Sequence, residues 1–211
     1  FKSDLVTEEA VSEFTTRTAF QLNQLYPKQE AVAYDERGLG ARVGTRVTQV
    51  VEELDGTSWI ASGKFKSSRI LNPFFRAAGV DGMFNPFGHE ALVTSGLLPF
   101  ERPMILAHEA AHVRGYPNEG EANFIALMAC VNSNDPAFRY SGWLTLWLYL
   151  RYQETDELLD EGPRQDLDAL FTRRRDNRVA WVRDIQTRTL DLFLKANRVE
   201  SGIRSYERMV T

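Results

Sequence analysis

Residues 106–130 read LAHEAAHVRGYPNEGEANFIALMAC and hold two of the chain's three histidines. His108 and His112 are four positions apart, Glu109 follows the first directly, and Asn118, Glu119, Glu121 and Asn123 come soon after. On an α-helix, positions i and i+4 share a face, so both imidazoles can reach one ion. Glu109 is turned by roughly 100° around that helix. There its carboxylate can meet a water beside the ion without becoming a ligand, which is the mechanical content of an HExxH motif. A catalytic zinc takes three protein ligands and keeps one position open. The pattern therefore calls for a third ligand, and two imidazoles with a carboxylate suit Zn2+ best.

Two glutamates compete for that place. Gly115 sits where a helix ends on a left-handed cap, and Asn118 then reads as the N-cap of the next helix. Glu121, three residues on, completes a capping box and so has a structural role of its own. It also points about 200° away from Glu119 around the helix, so the two cannot face one ion. Glu119 shares its face with Asn123, and with Ala122 and Ala126, whose small side chains let two helices lie close. Glu119 is therefore the expected ligand, with Asn123 behind the metal steadying a histidine, and Glu121 is the alternative. The third histidine, His89, could add a nitrogen ligand; the plainer reading is a strand or turn histidine lining the cleft near substrate.

A bare HExxH also occurs on packed helices that bind nothing. Here small and apolar flanks, the terminating glycine and a carboxylate at usable spacing favour a metal. Zinc in such a site acidifies water to a pKa of about 7 and polarises a scissile carbonyl. Glu109 serves as general base, then as acid toward the leaving amine. The oxyanion needs a further donor. Tyr140, in FRYSGW, and Tyr206, in IRSYERM, are the candidates, with Arg139 and Arg204 beside them, although such tyrosines are also common half-buried anchors. The other function class is a non-catalytic zinc-binding module whose cleft binds a partner. The carboxylate of Glu109 beside an open coordination position favours the enzyme.

The elements that must position these groups read as mainly α with a small β-hairpin or sheet. Thr7 opens a capped helix over 7–26, and 41–54 is a second helix ending before the Asp55-Gly56 turn. Residues 67–80 read as a short helix or loop broken at Pro73. The stretch DGMFNPFGHEALVTSG (81–96) has turn signals at both ends and alternation through Ala91 to Thr94, so a strand or hairpin is expected. Pro103 suits the first turn of the histidine helix. Further helices are expected over 119–133, 139–152, 164–184 and 185–197. At 211 residues the chain reads as one domain, 1–211, with its active-site helices at about 103–133 and a C-terminal helical part at 139–211.

Composition narrows the partners. The chain is 43% hydrophobic and 26% charged, as folded soluble proteins are. A net charge of −4 and a pI near 5.5 argue against nucleic acid. The run Arg173 to Arg175 lies among Asp166, Asp168 and Asp176 and reads as a solvated helix face, and the acidic ETDELLDEG as a solvated loop. The single cysteine, Cys130, excludes an internal disulfide and reads as a buried small hydrophobe. The apolar run WLTLWLYL (143–150) is too short to cross a bilayer.

Taken together, GMFNPFGHEALV, PFERPMILAHEAAHVRGY, NEGEANFIALMAC and NSNDPAFRYSGW resemble the bacterial family catalogued as domain of unknown function 3810, as does the closing KANRVESGIRSYERMV. That family is described as zinc-metallopeptidase-like and membrane-anchored through N-terminal helices. The resemblance implies a zincin-like fold of gluzincin type and one Zn2+ per chain, with a peptide or protein as substrate. It also implies a place on the extracytoplasmic face of a bacterial membrane, with the membrane reached only through a segment upstream of Phe1. Where the resemblance leads to Thr-Gly-Glu after Asn-Pro-Phe, this chain has Gly88-His89-Glu90, so His89 is not a family ligand. EGEAN is similar to the Glu-x-x-Ala-Asn helix that follows HExxH in gluzincin-like peptidases, which places Glu119 on zinc and Asn123 behind it. A metzincin-like HExxHxxGxxH fits through Gly115 but meets Asn118 where histidine belongs.

Overall fold

The computed structural model describes residues 7–31, 36–56, 64–66, 72, 73, 75, 81–85, 90–150 and 156–176. Six helices follow in chain order among them: α1 (Glu8–Ala31), α2 (Glu36–Asp55), α3 (Arg102–Val113), α4 (Glu119–Val131), α5 (Pro136–Leu150) and α6 (Glu161–Asp176). Three short strands, β1 (Lys64–Lys66), β2 (Gly82–Asn85) and β3 (Glu90–Val93), lie between α2 and α3. The mainly helical chain with a small sheet is the architecture that the periodicity predicts. His89, Tyr206 and the expected helix over 185–197 lie outside the described residues, as does 177–184 of the helix expected over 164–184.

Four helices begin or end beyond their expected bounds: α5 and α6 each start three residues early, and α1 and α2 depart furthest. Helix α1 continues past Pro27 to Ala31, although proline removes a donor and crowds the preceding turn. Leu22 and Leu25, 0% and 2% exposed, anchor the preceding turns in the core. Helix α2 starts at Glu36 and takes in Gly38, Gly40 and Gly44, each costing about 1 kcal/mol against alanine. Burial of Leu39, Val43, Val47, Val50 and Val51 outweighs that cost, since each such side chain contributes about 1.5–3 kcal/mol.

Among the described residues the core has two parts joined by α5. One packs the valines of α2 against α3 and the alanine-rich face of α4, with Phe138 from α5. The other packs α1 and α6 around Tyr140, Trp143, Leu144 and Trp147 of α5. Between α3 and α4 the buried contact is largely alanine, Ala107, Ala110 and Ala111 facing Ala122, Ala126 and Ala129. Small contact residues place helix axes at the short end of the usual 8–10 Å. That closeness decides what Glu119, at the start of α4, can reach.

The sheet order is β1-β3-β2, with β1 parallel and β2 antiparallel to β3. Residues 82–85 and 90–93 thus form the antiparallel pair expected from the 81–96 pattern. Strand β1 was not legible: three residues, Lys-Phe-Lys, are too few to show a period. Strand β2 is an edge among the described strands, and it lies beside α3.

Candidate metal centre and cleft

Helix α3 is entered through a 3-10 turn, Pro99–Glu101, with Pro103 in its first turn as expected. Ser141 of α5 accepts from the Met104 amide (3.1 Å) and ties that end to the core. The far end closes on Gly115, φ 94°. The Gly115 amide donates to the His112 carbonyl (3.0 Å) and the Tyr116 amide to the Ala111 carbonyl (3.2 Å), a Schellman pair. Asn118 caps α4, its Oδ1 accepting from the amides of Gly120 (2.9 Å) and Glu121 (3.1 Å).

These two ends set the geometry of the histidines. The Schellman turn folds the Tyr116 carbonyl back to accept from His112 Nδ1 at 2.8 Å. A carbonyl only accepts, so Nδ1 carries the proton and Nε2 presents a lone pair. His108 Nδ1 pairs with Asn123 Oδ1 at 2.9 Å, which orients its Nε2 the same way. The two Nε2 atoms lie 3.0 Å apart. Glu119 brings Oε2 to 3.2 Å from His108 Nε2 and Oε1 to 3.5 Å from His112 Nε2. Two lone pairs and a carboxylate converging like this repel unless a positive charge sits among them. Tetrahedral zinc at about 2.0–2.1 Å from each ligand holds adjacent ligand atoms roughly 3.3 Å apart. Separations of 3.0, 3.2 and 3.5 Å fit that value, so the donor set suits the ion.

The electrostatics follow the same grouping. Without an ion, an imidazole that takes up a proton turns its Nε2–H to the carboxylate, and such bonds from His108 and His112 hold the Glu119 carboxyl down at about 2. The bond to Glu119 holds His112 above its ordinary value, against the effect of its burial. Glu109 faces elsewhere, as its angle around the helix requires. It is 4% exposed, and its Oε2 has no hydrogen-bond partner. Burial pushes its carboxyl up to about 7, against the pull of the two histidines and with Glu119 adding to the rise. A Cβ on Gly82, the first residue of β2, would lie 2.5 Å from Glu109 Oε1. Only glycine leaves the carboxylate where it is.

Glu109 opens onto a cleft of about 500 Å³ that His108, Glu119 and Asn123 also line. Its other walls are Asp81 and Gly82 of the β2 end, Met104 and Ile105 of α3, Thr145, Leu148 and Tyr149 of α5, and Arg174 of α6. Glu121 is exposed and stays outside the cluster of His108, His112 and Glu119.

Two expectations need correction. Tyr140 is not an oxyanion donor: it is 0% exposed, its hydroxyl donates to Asp166 Oδ2 at 2.7 Å, and Tyr26 and Phe100 pack edge-on against its ring. Its neighbour Arg139 donates to Gln21. Nor is Arg173–Arg175 wholly a solvated face. Arg173 is half-buried between Asp81 (2.8 and 3.2 Å) and Glu101 (2.6 Å), acids distant in sequence. Gly82, the Tyr116 carbonyl, Tyr149 and Arg174 are site groups that the sequence did not single out. Only Tyr116 left a signal, since a Gly115 cap returns the next carbonyl toward the helix end. Cys130 is fully buried and its thiol is pushed up by burial, as expected of a small core residue.

A family model described as Protein of unknown function (DUF3810) matches residues 1–211. No curated protein and no solved structure matches the chain.

Proposed function

The chain belongs to the DUF3810 family, and we propose that it is a zinc-dependent peptidase of zincin-like, gluzincin type. The observation that carries this reading is the convergence of His108 Nε2, His112 Nε2 and the Glu119 carboxylate beside a buried Glu109 with an unbonded oxygen. A purely structural zinc closes its sphere with four protein ligands. Among the described residues three converge, and the cleft lies alongside.

His108, His112 and Glu119 would hold the ion, and Asn123 and the Tyr116 carbonyl keep the imidazoles aimed. Zinc in that set supplies Lewis acidity, polarising a carbonyl and acidifying water. Glu109 does the proton work: its carboxylate takes a proton from water and passes it to the departing amine. Burial raises this carboxyl in the metal-free fold, which strengthens it as a proton acceptor. Tyr149 replaces Tyr140 as the candidate oxyanion donor, because it lines the cleft and is 65% exposed. Strand β2, an edge among the described strands, can accept an extended peptide as a further strand. The membrane anchor and extracytoplasmic site belong to the same proposal. Among the described residues no helix is long and apolar enough to cross a membrane.

Elemental analysis of the purified protein tests the centre, followed by digestion of a peptide library read by mass spectrometry. One zinc per chain is expected, lost in His112→Ala and Glu119→Ala and kept in Glu121→Ala. Glu109→Gln should keep zinc and lose cleavage by at least about 100-fold. A wild type that holds no zinc after reconstitution would overturn the reading. Full zinc with no cleavage of any peptide would leave a zinc-binding module.

A further inference from the structure

Helix α6 ends in three consecutive arginines that meet three different surroundings. Arg173 is taken up by Asp81 and Glu101. Arg175, with 77% of its side chain exposed, lies against Asp176 in solvent. Arg174 lines the cleft, half-buried, and forms no ion pair among the described residues. The acids of the cleft are engaged elsewhere. Both Asp81 oxygens accept from Arg173, both Glu119 oxygens face the histidines, and Glu109 is packed against Gly82. A cation in the last turn complements the helix dipole, yet Arg175 does this from solvent. The dipole therefore does not account for an arginine turned into the cleft.

From this we infer that Arg174 selects substrate, pairing with a carboxylate of the bound peptide. The inference rests on the peptidase reading. A guanidinium presents two parallel N–H groups that match a carboxylate. Met104, Ile105 and Leu148 on the surrounding walls lower the local dielectric and strengthen such a pair. On a peptide the matching group is an Asp or Glu side chain or the free C-terminus. The cleft thus takes acidic or C-terminal segments in preference to neutral internal ones.

Binding to the zinc-loaded Glu109→Gln protein separates selection from turnover. Three pools of fluorescein-labelled decapeptides, randomised over Ala, Leu, Phe, Ser and Thr, serve as probes. One carries a central Glu and an amidated C-terminus, one a central Gln and an amidated C-terminus, and one a central Gln and a free C-terminus. Fluorescence anisotropy should show one carboxylate pool binding about tenfold tighter than the neutral pool, and which pool does so identifies the source. Adding Arg174→Gln should abolish that preference, while Arg174→Lys keeps part of it, with zinc content unchanged in both. Equal binding of all three pools, or a preference that survives Arg174→Gln, overturns the inference. If the wild type still cleaves peptides in that case, the peptidase reading stands without it. A carboxylate preference without cleavage keeps the Arg174 assignment and sinks the catalytic reading, and no binding with no cleavage overturns both.

Discussion

A carboxylate that is 4% exposed and has an oxygen without a partner is costly to maintain, because buried polar groups are almost always bonded. Glu109 is held in that state from the side by Gly82, whose missing side chain is its essential property. Gly82→Ala places a methyl group 2.5 Å from Oε1, so the carboxylate must swing away. We expect kcat to fall by about 10–100-fold while zinc content, fixed by other residues, stays at the wild-type level. Kinetics and elemental analysis on one preparation check this, and an unimpaired variant would remove the role assigned to Gly82. Glu109 and His112 also set a pH dependence. Both are raised in the metal-free fold, so the folded state holds protons that the unfolded chain releases. Stability without metal is then fully present below pH 4.5 for Glu109 and is lost as pH rises through about 7. Thermal melts in chelator should fall in midpoint between pH 5 and 8. With zinc the slope should reverse, because metal competes with the same protons. A metal-free midpoint that climbs over this range would contradict the burial of Glu109.

The turn between α3 and α4 does more than end a helix. Gly115 adopts φ 94° with nothing within 4 Å of where a Cβ would stand, so a side chain there meets strain without a clash. The strain is the 1–2 kcal/mol an L-residue pays, roughly, in the left-handed region. Gly115→Ala should lower stability by about 1–2 kcal/mol and weaken zinc binding about tenfold, since the Tyr116 carbonyl would drift from His112 Nδ1. Gly115→Asn should recover much of both losses, because asparagine tolerates that conformation. Chemical denaturation and zinc competition assays measure the two effects separately. Equal losses for Ala and Asn would mean that the turn acts by something other than backbone conformation. The Tyr116 hydroxyl donates to Asp55 at the end of α2, so a third helix also steadies this loop.

Across the whole molecule, Arg173 links the end of α6 to the start of β2 and to the entrance of α3. Its side chain is 10% exposed and Glu101 only 5%, so removing the guanidinium strands a buried carboxylate. We expect Arg173→Met to destabilise by about 3–5 kcal/mol. Replacing both partners, Arg173→Met with Glu101→Gln, should cost less than the single change. Denaturation curves for the two variants decide this, and identical losses would show that Glu101 is not the group left exposed to the penalty. Because Asp81 adjoins Gly82, the same network sets how closely β2 approaches Glu109.

Much of the candidate metal centre was legible because its logic is local. The HEAAH spacing puts two imidazoles on one helical face whatever surrounds the helix. Gly115 and Asn118 announce a helix end and a helix start, and Glu119 with Asn123 at i+4 follows from the period. The alternating pattern before α3 likewise foretold β2 and β3. What the chain could not announce depends on residues far apart in sequence. Tyr140 and Tyr149 look alike in an apolar helix, and only packing sends one into the core and the other into the cleft. Three adjacent arginines look alike too, until Asp81 and Glu101, more than seventy positions away, claim the first and the cleft receives the second. Periodicity fixes the direction of a side chain relative to its own helix. Which neighbour lies in that direction is decided only when the helices pack.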